Sequence, residues 1–570
     1  MSDNINDVNV ETETPDTEPS VETEEAIETE TDVQTDFHEE TAETAAVPEP
    51  EAENEQNLVE ETQEPNASEE ARVEENDSAE ESEQPVLTEM SEKPEEADNS
   101  SEESEDDDEE VGKKGKKKKK RPTYAQRRKR RITALISVCS VILVLGIFIS
   151  GIAIANPLIV KALIAQANNY ATVAYDHEQL EPEKIDGCWT FTTDKQFKVQ
   201  QFTDVHIGAG SFSKDKDMWA MNAVATMIRK EQPDLVVVTG DIAYPVPFQA
   251  GTFNNLAATQ VFANMMEKLG VYWTFAFGNH DTEAYSMKTR ADICDWYESQ
   301  NFKYCLFSRG YADDPSLKLK EDDIGYGNNV IRVKNSKGVY TQAIVTLDSH
   351  SYIDGDYFGA AWKYDNIHQS QVDWYVGEMQ KLVTANNALL ANDPSIGIEQ
   401  DAPVKNLAFF HIPLVEYREA WGKIIDLNGG TKATEEEQKN GRYNNLQNPE
   451  GVEYFYGVMG ESDKQKNGQR TYGVFCGLNQ DSFFETGVDN GLQGTFCGHD
   501  HYNNFSVNYT KDGKTVRLTY GMSVDYLAYP GIYKEHLQRG CTVIEVEPDG
   551  SFDCEQKNYY NDYDIAHEKD

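Results

Sequence analysis

Seven side chains that can bind metal ions follow short apolar runs at five places in the chain. Their oxygen and imidazole donors, without thiolate, suit Mn, Fe or Zn, and seven donors are too many for one ion. If one carboxylate is shared, they suit two ions about 3.5–4 Å apart, an arrangement that clamps the attacking and leaving oxygens in phosphoester hydrolysis. The seven are Asp204, His206, Asp241, Asn279, His411, His499 and His501.

The order of these motifs carries more information than any one of them. Asp-x-His and Gly-Asp both occur often by chance, and an isolated histidine such as His411 is more often a packed core residue than a ligand. Gly278-Asn279-His280-Asp281 and Gly498-His499-Asp500-His501 are rarer strings. We expect the six histidines outside the motifs to be structural or surface residues: His38, His177, His350, His368, His536 and His567.

The apolar runs before the motifs indicate strands whose ends lie at one edge of a sheet. Leu235–Val238 is short, unbroken and β-branched, as is typical of a strand buried on both faces. Helical patterns at Met218–Arg229 and Leu256–Leu269 separate the first three strands, which predicts crossover connections and an α/β fold. The strands are predicted at Lys198–Thr203, Leu235–Val238, Val271–Phe277, Leu407–Phe410 and Gly494–Cys497.

The second half of the folded region has a different pattern. Asn329–Val333 and Val339–Leu347 predict a hairpin, and Ser370–Val383 predicts a helix. Val516–Tyr520 and Cys541–Val546 are predicted to be antiparallel strands. Residues 425–490 are polar and rich in Gly and Asn, so we expect an insertion that runs over the surface.

The ordered motifs resemble those of the calcineurin-like metallophosphoesterases, over about residues 190–510. Phe410-His411-Ile412-Pro413-Leu414 and Gly498-His499-Asp500-His501 are most similar to the purple-acid-phosphatase-related branch. The resemblance implies a four-layer αββα sandwich that hydrolyses phosphoesters by attack of a hydroxide bridging two metal ions. His280 would be the acid or transition-state stabiliser, oriented by Asp281, so both are predicted to be catalytic.

The same resemblance implies which residues hold each ion. One ion would be held by Asp204, His206, Asp241 and His501. The other would be held by Asp241, Asn279, His411 and His499. Because no tyrosine ligand to ferric iron is apparent near position 206, Mn, Zn and Fe(II) all stay open.

Two blocks of opposite charge precede the folded region. Residues 1–110 hold 44 of the 102 acidic residues and only two basic ones, which predicts a disordered tail. Residues 111–131 hold 13 Lys or Arg and no acid. Beside a membrane span, contact of residues 113–131 with anionic lipid is a more economical interpretation than nucleic-acid binding.

Ile132–Ala155 is an uncharged apolar run of 24 residues, long enough for a helix to cross about 30 Å of hydrocarbon. The positive-inside rule then places the N-terminus in the cytoplasm and the catalytic domain outside the membrane. A cleavable signal peptide is an alternative, because Ala153-Ile154-Ala155 resembles a cleavage site. A linker is predicted at 156–184 and the catalytic domain at 185–565.

A second class of function stays open, namely a catalytically idle scaffold or binding protein that works through its charged cytoplasmic tail. In a protein that had lost its catalytic role, we would expect some of the seven ligand residues to be replaced, and none of them is. The eight cysteines have no zinc-site spacing, and one or two disulfides stay open without an assigned pairing.

Overall fold

The computed structural model describes residues 123–310, 324–357, 359–430, 432–529, 531–532 and 538–566. The acidic tail at 1–110 and residues 111–122 of the basic segment lie outside the described residues. The described part is a mixed α/β, sheet-rich fold, which confirms the predicted class.

In chain order the elements are α1 (Tyr124–Ala167), β1 (Glu183–Ile185), β2 (Cys188–Thr192), β3 (Phe197–Phe202), α2 (Lys214–Glu231), β4 (Leu235–Thr239), α3 (Pro247–Ala250), α4 (Asn255–Leu269), β5 (Trp273–Ala276), α5 (Arg290–Ser299), β6 (Asn329–Lys334), β7 (Tyr340–Thr346), α6 (Gln369–Asn392), β8 (Asn406–Phe409), α7 (Val415–Asn428), α8 (Glu435–Asn440), β9 (Val452–Tyr456), β10 (Gln465–Lys466), β11 (Gln469–Arg470), α9 (Phe483–Asp489), β12 (Leu492–Cys497), β13 (Ser506–Lys511), β14 (Lys514–Tyr520), β15 (Gly540–Val546) and β16 (Phe552–Asn558).

Two large sheets carry the strands that precede the five motifs. The five-stranded sheet has the order β16-β15-β3-β4-β5, with β3, β4 and β5 parallel to one another. The nine-stranded sheet has the order β1-β2-β6-β7-β8-β12-β14-β13-β9, with β8 and β12 parallel. Three motifs therefore follow neighbouring strands of one sheet, and two follow neighbouring strands of the other.

The core explains why these strands are so apolar. All five residues of β4 are buried. Because side chains alternate along a strand, Leu235 and Val237 join an apolar cluster with Leu407 and Phe496 of the other sheet. Val236 and Val238 lie on the opposite face of β4, in a cluster that includes residues of α1, α2 and α4. A third cluster joins the nine-stranded sheet to α6, α7 and α9.

One expectation about the chain is corrected, one is confirmed, and the open question of disulfides is answered. Residues 425–490 are more than a surface insertion, because β9 is an edge strand of the nine-stranded sheet and Phe483 is fully buried in its core. Val516–Tyr520 and Cys541–Val546 each lie in an antiparallel pair, as predicted, and the two pairs belong to different sheets. All eight cysteines lie in the described part and are free thiols.

Helix α1 joins the apolar segment to the folded domain without a break. It is the one helix among the described residues that is long and apolar enough, by length and composition, to cross a membrane. The helix continues past Ala155, so the expected linker begins with about three helical turns. The reason is packing, since Leu163 and Ala167 are buried in the cluster that contains α2 and α4.

Candidate metal centre

Four of the predicted ligands have an unusual backbone conformation. Asp204, His206, Asp241 and His499 have φ values of 50°, 53°, 54° and 77°. Non-glycine residues in this left-handed region cost about 1–3 kcal/mol each and are concentrated at functional sites. The turns are held by backbone hydrogen bonds, for example from the Asp204 N–H to the Gly240 carbonyl at 3.1 Å. The strand ends thus keep a strained conformation that turns these side chains together.

The first group of buried donors consists of Asp204, His206, Asp241 and His501, whose ligand atoms all lie within 4.8 Å of one another. His206 Nε2 is 3.2 Å from Asp241 Oδ2, and His501 Nε2 is 3.3 Å from Asp204 Oδ1. This is the set that the resemblance implies for one ion.

A second group shares Asp241 with the first. The Asp241 Oδ2 atom that faces His206 is also 3.2 Å from His411 Nε2. Asn279 Oδ1 lies 3.1 Å from His411 Nε2 and 3.0 Å from His499 Nδ1. The structure therefore brings all seven predicted ligands together, with one carboxylate oxygen between the two groups.

The donor atoms fit divalent metal ions. His411 Nδ1 is 2.8 Å from the Thr239 carbonyl, which can only accept, so this nitrogen carries the proton. Its Nε2 then faces oxygens of Asp241 and Asn279, both of which are acceptors. The buried Asp204 Oδ1 accepts no hydrogen bond in the described part. Ligands about 2.0–2.2 Å from one ion in adjacent positions lie roughly 3 Å apart, as these atoms do.

Without metal, protons stabilise the same cluster. Burial lowers the pKa of His411, but the Asp241 carboxylate outweighs this effect and the pKa is raised to about 9. Burial likewise opposes the charge of His206, whose pKa is nevertheless raised to about 10 by Asp525 and Asp241. Burial and the charge of His411 hold the pKa of His499 well below its usual value. Because ligating imidazoles must be deprotonated, metal binding at this cluster would release protons.

Asp525 is a buried carboxylate beside the candidate centre that the sequence did not identify. One of its oxygens is 3.3 Å from His206 Nδ1, and the other is 3.5 Å from His501 Nδ1. Its carboxylate also accepts the N–H groups of Leu527 and Tyr529. A carboxylate behind a ligating histidine fixes the ring and its tautomer. In the sequence, Asp525 could have been noticed only because it lies five residues after the apolar strand β14. The residues around it match no ligand motif.

The expected pairing of His280 with Asp281 is wrong. Both carboxylate oxygens of Asp281 accept backbone N–H groups, from Asp241 and Ala243 among others, so Asp281 holds the turn that carries Asp241. His280 Nδ1 instead lies 2.9 Å from Glu283 Oε1. Residues 280–282 form a 3₁₀ turn, in which side chains three apart lie on the same side. Glu283 therefore has the position that was predicted for Asp281.

A cleft of about 550 Å³ opens over His280, His499 and His501. Trp362 and Tyr364 line it, and Tyr364 packs edge-on against the His499 ring at 4.2 Å. Gly460, Glu461, Ser462 and Lys464 also line the cleft. The segment expected to be a surface insertion therefore helps to shape the entrance to the centre.

A second group of potential ligands, His350, Asp365 and His368, has a structural arrangement. The two imidazole rings stack with centroids 3.9 Å apart and planes 17° apart, so their in-plane lone pairs do not converge on one ion. The His368 side chain caps α6, and His350 Nε2 is 3.0 Å from Gln371 Oε1. These contacts agree with the structural role expected for both histidines.

Comparison with known proteins defines the class. A family model described as calcineurin-like phosphoesterase matches residues 197–503, more than half of the chain, so the chain belongs to that family. Its curated relatives support the purple-acid-phosphatase-related branch.

The aligned share of this chain and of the relative differs among three curated relatives. Probable inactive purple acid phosphatase 28 of Arabidopsis thaliana is 24% identical over 377 residues, or 63% of this chain and 77% of that protein. Probable inactive purple acid phosphatase 14 of the same plant is 26% identical over 258 residues, or 42% and 58%. Phosphatase DCR2 of Saccharomyces cerevisiae is 27% identical over 246 residues, or 40% and 36%. The chain thus spans less than two thirds of the last two relatives.

Proposed function

We propose that this protein is a membrane-anchored, metal-dependent phosphoesterase with a dinuclear centre. The observation that carries the proposal is the position of Asp241 Oδ2, 3.2 Å from both His206 Nε2 and His411 Nε2, between two complete donor groups. The proposed ligands are Asp204, His206, Asp241, Asn279, His411, His499 and His501. The proposed ions are divalent Mn, Fe or Zn.

The proposed order of segments along the chain is the one predicted from the sequence, except that the first part of the linker is helical. A tail at 1–110 and a basic segment at 111–131 would lie in the cytoplasm, residues 132–155 would span the bilayer, and the domain at 185–565 would lie outside. Residues 156–167 would extend the helix into the domain. The three apolar clusters support a four-layer αββα arrangement for that domain.

The roles of individual side chains follow from their charge and position. When bound, two divalent ions neutralise phosphoryl charge and lower the pKa of water towards neutrality. Asn279 offers a neutral oxygen, which leaves the centre more positive for an anionic substrate. His280 faces the cleft with the Glu283 carboxylate behind it, a position from which it can donate a proton to the leaving oxygen.

The alternative is a catalytically idle binding protein, because two of the relatives carry the word inactive in their names. The experiment that separates the two uses the full chain purified in detergent. Its metals are counted, and the initial rates of phosphomonoester and phosphodiester hydrolysis are measured after loading with Mn, Zn or Fe(II). Two ions per chain with metal-dependent turnover, abolished in Asp241→Asn, support the enzyme. Two ions per chain without turnover of any ester support the idle alternative.

A further inference from the structure

Exposed apolar side chains lie in loops near the place where α1 leaves the folded domain. Outside α1, seven large apolar side chains in the described part are exposed, and four of them lie in three stretches of the chain, two of which contact this helix. These four residues, here called the collar, are Phe212, Phe248, Phe253 and Met287. Phe248 is the most exposed, at 94%. Soluble surfaces seldom group such residues unless they meet a partner.

Two of the loops that carry the collar contact α1 directly. The rings of Phe148 in α1 and Phe212 stack with centroids 6.3 Å apart. Asn156 donates a hydrogen bond to the Gly251 carbonyl at 2.9 Å and accepts one from the Ser211 hydroxyl at 2.5 Å. The loops that carry the collar therefore have a defined position along the helix.

Backbone hydrogen bonds also connect the three stretches of chain that carry the collar. The Phe212 N–H donates to the Ala250 carbonyl at 3.0 Å, which joins Phe212 to the helix that carries Phe248. The Met287 N–H donates to the Phe253 carbonyl at 2.9 Å. The four side chains thus belong to one hydrogen-bonded group of loops.

The position of these contacts along the axis of α1 indicates what the collar binds. Phe148 lies seven residues before Ala155, which corresponds to about 10 Å along the helix axis. The neighbouring residues of α1 are exposed and apolar on all sides, for example Leu145 and Ile149. If residues 132–155 span a bilayer, the Phe212 ring beside Phe148 lies at the depth of the hydrocarbon. An exposed phenylalanine at that depth would face lipid rather than water.

We propose that the collar inserts into the outer leaflet of the lipid bilayer and holds the phosphoesterase domain against the membrane surface. The inference rests on the membrane span in the proposed function. The partner is lipid because the collar continues the apolar surface of α1. Apolar insertion beside a span adds buried area to the anchor and limits the tilt of the domain.

Photocrosslinking of the full chain in nanodiscs of phosphatidylcholine and phosphatidylglycerol tests this surface. Three variants carry p-benzoylphenylalanine, at Phe248, at Leu145 within the proposed span, and at Leu427. Leu427 is a control with 49% exposure on α7, which packs on the nine-stranded sheet, whereas α1 packs on α2 and α4. Because Phe248 is almost fully exposed, its substitution leaves the core intact. The readout is an intact-mass increase of one phospholipid.

The expected result is a lipid adduct at Leu145 and at Phe248, and none at Leu427. A lipid adduct at Leu145 without one at Phe248 leaves the span in place and overturns the collar proposal. Adducts at Phe248 to a second protein chain also overturn it, because the collar would then be a protein interface. Absence of a lipid adduct at Leu145 removes the proposed span and the collar proposal together, while the metal-centre assays stay unaffected.

Discussion

The two halves of the proposed metal centre differ in how much negative charge surrounds them. The half with Asp204, His206 and His501 has two carboxylates among its donors, and Asp525 lies behind both imidazoles. The half with His411 and His499 has only the shared Asp241 carboxylate, together with the neutral amide oxygen of Asn279. A backbone carbonyl, not a carboxylate, orients His411.

This difference indicates separate tasks for the two halves. More anionic donors bind a cation more tightly, whereas a neutral donor leaves more positive charge for an anionic substrate. We therefore expect the first half to hold its ion more strongly and the second half to exchange its ion more readily. The following four predictions test this comparison.

Loss of the shared ligand should have the largest effect. Asp241→Asn should lose most bound metal and essentially all activity, because both halves lose an anionic donor. Metal content per chain and initial rates measure this result. Asp356→Asn is a matched control, since Asp356 is also buried but accepts the N–H groups of Ala361 and Lys363. Two ions retained with near wild-type turnover would remove Asp241 from the bridging role.

Loss of His280 should separate chemistry from metal binding. His280→Ala should keep close to two ions per chain while activity falls about 10²–10⁴-fold, the usual contribution of general acid catalysis. Since the proton is needed in the transition state, kcat and kcat/KM should fall together. Nitrophenyl esters should be less affected than alkyl esters, whose leaving groups need the proton more. A metal-depleted variant, or equal losses on both esters, would contradict the acid role.

Removal of the carboxylate behind the first half should act on one ion only. Asp525→Asn keeps the shape of the side chain but removes the charge beside His206 and His501. We expect the affinity for the first ion to fall about 10–100-fold, as is typical for such supporting residues. Competition with a fluorescent chelator measures both affinities. Equal weakening of the two ions would show that the halves do not differ in the way proposed.

The smallest effect is expected for Glu283→Gln. The neutral amide can still contact His280 but no longer favours its charged form, so hydrolysis of alkyl esters should fall by about tenfold. Metal content should stay at the wild-type value because Glu283 lies outside both donor groups. Initial rates on alkyl and nitrophenyl esters, compared with the wild type, check the role. Unchanged hydrolysis of both esters would indicate that Glu283 only supports the turn.

The sequence alone determined the candidate ligands and the strands that carry them. An unbroken apolar run such as Leu235–Val238 is a local signal, because burial on both faces requires it. The residue types at each strand end are equally local, and the structure brings all seven together. The α/β class followed from the same alternation of strands and helices.

Only the tertiary structure decided which carboxylates support the histidines. Asp525 is more than 300 residues from His206 in the chain, and no spacing rule connects residues that meet through two different sheets. Glu283 displaced Asp281 as the partner of His280 because the local backbone is a 3₁₀ turn rather than an extended strand end. The segment 425–490 appeared polar, yet many of its apolar residues, such as Val458, Phe483 and Phe484, pack in the core. Composition reports an average over a segment, whereas packing depends on where individual side chains meet.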